Sequence, residues 1–141
     1  MSSDRGGLSL VVFSGEFDRV HYALAMAASA AALGKPATLL FTGSALRALV
    51  ADVDGEAGWR SLHSGDGRSG GQTDGDYRAR GVAGFEELLS ACAELGVRLI
   101  ACEMGMRVAG LDRGMLRTDV AVEEAGLATF LADASAGVTL V

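Results

Sequence analysis

Hydrophobic positions along the chain fall into short apolar runs separated by amphipathic and glycine-rich stretches. Leu8 to Phe13 is apolar and β-branched and stops at Ser14-Gly15, which predicts a buried strand. Phe17 to Leu33 is rich in Ala, Leu and Met and predicts a helix, with Asp18 at its positive end. Gly34 and Pro36 end that helix, and Ala37 to Phe41 predicts a second strand. Strand, helix and strand make a βαβ unit with parallel pairing and a right-handed crossover.

Thr42-Gly43-Ser44 leads to a short helix expected over Ala45 to Ala51, with Ser44 as its N-cap. The pattern then lapses. Asp52 to Gly81 holds eight glycines and five aspartates, with Val53, Trp59, Leu62 and Tyr77 scattered between them. With a period of neither 2 nor 3.6, this stretch reads as a mobile loop, either a lid or slack chain.

Order returns at Gly84. Phe85, Leu88, Leu89, Cys92 and Leu95 share one helical face, and Glu86, Glu87 and Glu94 take the other. Val97 to Cys102 predicts a third strand, and Met104 to Gly110 a loop. Asp112 suits the N-cap of a short helix over Arg113 to Arg117, Asp119 to Glu123 is ambiguous, and Glu124 to Ala134 predicts the last helix. Val138 to Val141 predicts a final strand. The alternation points to one α/β domain over residues 1–141. Its expected form is three-layered: a parallel sheet of about five strands with helices on both faces, as in flavodoxin-like arrangements.

Composition refines this picture. Of 141 residues half are hydrophobic, but only 6% are aromatic, and glycine occurs 20 times. The core is therefore expected to be built from small side chains. A net charge of −6 with scattered basic residues argues against nucleic-acid binding. Met1 to Gly7 shows no leader pattern, and Val20 to Leu33 is too short and weakly apolar for a membrane span. A cytoplasmic setting is expected, in which two isolated cysteines remain thiols.

Sites in open α/β sheets lie at the carboxyl ends of the strands. Three segments qualify: Ser14 to Asp18, Thr42 to Ser44, and Cys102 to Arg107. Cys102 ends its strand, where a thiol can meet solvent and main-chain N–H groups. Arg107, or His21 on the first turn of the first helix, is a candidate cation to favour the thiolate, and Glu103 opposes it. From position alone a reactive thiol and a small buried hydrophobe are equally good readings of Cys102. Cys92 sits on an apolar stripe and reads as core. Met104 and Met106 either line a soft pocket or simply pack. Two separated cysteines and two histidines make no metal set, and no phosphate-binding or nucleophile-elbow motif is present, so no metal and no cofactor are expected.

Ala101-Cys102-Glu103-Met104-Gly105-Met106, with Ser14 to Arg19, Leu39 to Thr42, Gly84-Phe85 and Ala128 to Leu131, resembles the DsrE/DsrF-like proteins, in particular a branch with an Ala-Cys-x-Met-x-Met motif. The resemblance spans the chain apart from Asp52 to Gly81. It implies a small three-layer α/β domain that forms homo-oligomers, commonly trimers or hexamers. It also implies intracellular sulfur relay, with Cys102 taking sulfane sulfur as a persulfide from a donor and passing it to an acceptor protein or small thiol. Ser14, His21, Met104, Met106 and Arg107 would support it. Relatives often carry Ser where this chain has Gly105. Two other readings compete with a sulfurtransferase-like role. One is an oligomeric α/β binding module without turnover. The other is a one-cysteine thiol peroxidase, whose usual Pro and Thr surroundings are missing around Cys102.

Overall fold

The computed structural model describes residues 7–134 and 137–141; the first six residues, part of the segment read for a leader, lie outside the described residues. Five strands, β1 (Leu8–Val12), β2 (Ala37–Phe41), β3 (Arg98–Cys102), β4 (Glu123–Ala125) and β5 (Val138–Leu140), pair in parallel in the order β4-β3-β2-β1-β5. The helices are α1 (Phe17–Ala32), α2 (Gly70–Ala79), α3 (Phe85–Glu94), α4 (Glu103–Ala109) and α5 (Leu127–Asp133).

From β1 to β4 the chain steps across the sheet in one direction, so right-handed crossovers place α1, α3 and α4 on one face. Only the return from β4 to β5 runs the other way, which puts α5 on the opposite face. Flavodoxin-type sheets reverse after their second strand; this one reverses only for its last. Side chains alternate accordingly. Leu39, Phe41, Leu99 and Ala101 enter a large core beneath α1 and α3. Leu40, Ile100 and Cys102 enter a small one closed by Phe130 of α5. The expected α/β class and parallel five-stranded sheet are thus present.

Local differences have local causes. The stretch after Cys102, expected as a loop, is α4, which ends at Gly110 with φ +70°. A short helix interrupted by Gly105 carries too little periodicity to be seen in the sequence. The expected Ala45 to Ala51 helix is a 3-10 helix over Gly43–Leu49 with Thr42, not Ser44, at its N-cap position. The last helix begins later than expected, because Glu123–Ala125 pairs with β3 before the chain turns at Gly126.

The segment 52–81 carries a 3-10 helix (Gly58–Ser61) and α2. Ser69 and Gln72 form a reciprocal capping box at the start of α2, a sequence signal overshadowed by the glycine count. Trp59 and Leu62 are buried in the large core. Two of the glycines are sites of close approach. A Cβ on Gly58 would collide with the Arg47 carbonyl, and one on Gly70 with the Trp59 carbonyl.

Candidate functional site

Cys102 is the last residue of β3, opposite Ala125 of β4, and occupies the N-cap position of α4. Strand alternation turns its side chain towards α5, where it packs with Leu40, Ile100 and Phe130 and is only 2% exposed. The solvent contact expected of a strand-end thiol is therefore missing, because Phe130 closes that face.

His21 lies on the other side of the sheet. Its Nε2 donates to the Ala83 carbonyl at 2.8 Å, and its ring meets Tyr77 edge-on with centroids 4.8 Å apart. It shares the buried face of α1 with Phe17, Val20 and Leu24, which directs it away from Cys102. Arg107 is exposed on α4. Ser14 Oγ accepts the Glu16 N–H at 3.1 Å and so shapes the turn after β1. The two methionines part company: Met106 is buried in the large core and Met104 is 60% exposed. Of the supporting residues read from the sequence, none makes a hydrogen bond or ion pair with Cys102 among the described residues.

Cys92 is fully buried and donates its S–H to the Leu24 carbonyl at 3.4 Å. Burial pushes its thiol up to about 11, which leaves it protonated at neutral pH.

The carboxyl ends of β1 and β2 open on a cleft of about 710 Å³, walled by Phe13, Leu46, Val50, Met104, Val108 and Leu111. Among the described residues Arg47 is its one charged lining residue. Gly105 makes room for it: a Cβ there would collide with Thr42 Oγ1 and stand 3.0 Å from Leu46 Cδ1, so only glycine lets α4 lie this close to the Thr42 turn. Arg47 and Ser44 also line a smaller, polar pocket of about 320 Å³ with Glu16, Ser61 and His63. Thr42 to Ser44 qualified by strand-end position in the sequence. Met104 and Gly105 of α4 qualified too, within Cys102 to Arg107, whereas Phe13, Arg47, Val108 and Leu111 did not, because the fold alone brings them to the cleft. Among the described residues no cluster of three His, Cys, Asp or Glu side chains is arranged to hold a metal, and no helix is long and apolar enough to cross a membrane.

A solved structure of a protein of unknown function from Methanobacterium thermoautotrophicum, MTH1491, is similar at 16% identity, covering 95% of this chain and 97% of that one with a TM-score of 0.49. No curated protein matches the chain. Residues 71–140 match the DsrE/DsrF/DrsH-like family. That match runs from α2 through Cys102 to β5 and supports the DsrE/DsrF-like family for this chain.

Proposed function

We propose that this protein is a sulfur carrier that holds sulfane sulfur on Cys102 and passes it to a partner thiol. The observation that carries the reading is the position of Cys102 at the carboxyl end of β3, within the stretch that matches the family. The Cys102 thiolate attacks the outer sulfur of a donor persulfide. A new S–S bond forms at Cys102, the donor's S–S bond breaks, and the donor leaves as a thiolate. An acceptor thiolate then attacks the terminal sulfur and releases Cys102, with no net oxidation. Leu40, Ile100 and Phe130 around the sulfur would keep water and oxidants from the persulfide. Entry of the donor then requires α5, a seven-residue helix, to move aside.

Donor and acceptor are proteins or small thiols of a cytoplasmic relay in this reading, and the carrier works as a homotrimer or hexamer. The α5 and β5 side exposes Leu127, Leu131, Val138 and Leu140, apolar surface that a neighbouring subunit would cover. The test is intact-protein mass spectrometry after treatment with inorganic polysulfide. The expected product gains one sulfur, keeps it in Cys92→Ala and loses it in Cys102→Ser. No gain in the unaltered protein, or a gain on Cys92, overturns the proposal. A binding module without turnover is the second reading, favoured by a large cleft that Cys102 does not line.

A further inference from the structure

We infer that the cleft between the Thr42 turn and α4 binds a small amphipathic monoanion, with its apolar body in the cleft and its carboxylate at Arg47. The volume of about 710 Å³ falls in the range of small-molecule sites, and the cleft opens at the carboxyl ends of the strands, where ligands of α/β sheets bind. Its walls are apolar, and three of them are unusually open for large hydrophobic side chains: Phe13 is 54%, Met104 60% and Val108 83% exposed.

The charge of the ligand follows from the arginines. This acidic chain pairs most of them: Arg60 with Glu56, Arg78 with Asp74, Arg98 with Glu123 and Arg117 with Glu86. Arg47 has no carboxylate partner among the described residues and donates only to Ser61 Oγ, at 3.2 Å. It stands where the apolar cleft meets the polar pocket, with Ser44 beside it. A guanidinium in that position recognises a carboxylate. Glu16 also lines the polar pocket, and its carboxylate disfavours a second negative charge there. The ligand is therefore singly charged, with a hydrocarbon or aromatic body.

This binding is independent of sulfur chemistry at Cys102, which faces the other side of the sheet. Isothermal titration with decanoate below its micelle concentration tests it, with decanol as the uncharged control. Saturable one-to-one binding of decanoate is expected. Arg47→Ala should weaken decanoate about tenfold and leave decanol unchanged. Ala109→Phe, a substitution at an exposed lining position, should weaken both. Val108→Glu at the mouth should weaken decanoate more than decanol, and Cys102→Ser should bind as the unaltered protein does. Absence of saturable decanoate binding overturns the inference, as does an unchanged affinity in Arg47→Ala. Self-association that Ala109→Phe abolishes would assign the cleft to a second copy of the chain and overturn it as well.

Discussion

The Asp74 carboxylate accepts the Phe85 backbone N–H at 2.6 Å, so a residue of α2 caps α3. The other Asp74 oxygen accepts from Arg78 Nε at 3.1 Å, and the Asp74 side chain is almost wholly buried. Gly84, at the N-cap position of α3, has no side chain to satisfy that amide. The cap comes instead from the glycine-rich segment.

Asp74→Ala should therefore destabilise the protein by about 1–3 kcal/mol, the cost of stranding a buried donor. Asp74→Asn, which keeps an acceptor, should lose less. Urea denaturation of both variants checks this. Replacing residues 56–76 with a Gly/Ser linker should abolish cooperative unfolding, because it removes Trp59 and Leu62 from the core as well as the cap. An intact fold after that replacement would show the segment to be dispensable.

The two cysteines should differ in what limits their reaction. Burial that holds the Cys92 thiol near 11 should keep it unlabelled by iodoacetamide at pH 7 in the native protein. Cys102 is closed off by Phe130, so Phe130→Leu should speed its labelling and leave Cys92 unaffected. Peptide mapping against time reads both rates. Equal rates in the unaltered protein would remove the distinction.

Gly105 should tolerate no side chain while Thr42 keeps its hydroxyl. Gly105→Ala is expected to cost about 1–3 kcal/mol through overpacking. Thr42→Ala should recover part of that loss in the double variant, because Thr42 Oγ1 is the atom in the way. Additive losses in a double-mutant cycle would refute the contact.

Acid should weaken the fold through Arg117. Its hydrogen bond to Glu86 is the main cause that lowers the Glu86 carboxyl, with Trp59 Nε1 contributing at 2.6 Å. Arg117 lowers Asp119 in the same way. A carboxyl depressed in the folded state stabilises above its unfolded value and loses that contribution as pH falls through the folded value. Stability should thus decline as pH drops below about 4.3. Arg117→Ala should lower stability at pH 7 and flatten that acid decline in thermal melts. A decline as steep as in the unaltered protein would place its origin elsewhere.

Light scattering should give a mass that is a multiple of the 14.4 kDa chain, and Leu140→Glu on the exposed edge strand should reduce it. A monomer at micromolar concentration would count against the proposed assembly.

Apolar runs bounded by breakers sufficed for the central elements. Ala37 to Phe41 coincides with β2, and Phe17 to Leu33 exceeds α1 by one residue, because Gly34 and Pro36 stop the helix by local chemistry. Parallel pairing followed from the length of the crossovers. The alternation of β3 also separates Ala101 from Cys102 by face, but which face each meets depends on the direction of the last crossover. Only the tertiary structure settles that α5 returns across the far side and closes Phe130 over Cys102. The same holds for His21, whose helical position puts it on a buried face without saying that Ala83 and Tyr77 await it there. The glycines of residues 52–81 look like slack in one dimension. In three they are points where backbones touch, since the missing Cβ of Gly58 and of Gly70 is filled by the carbonyls of Arg47 and Trp59, neither of them a neighbour in the chain. Local propensity reads each residue against its neighbours in the chain; the cleft at Arg47, like the cap at Asp74, joins residues that are neighbours only in space.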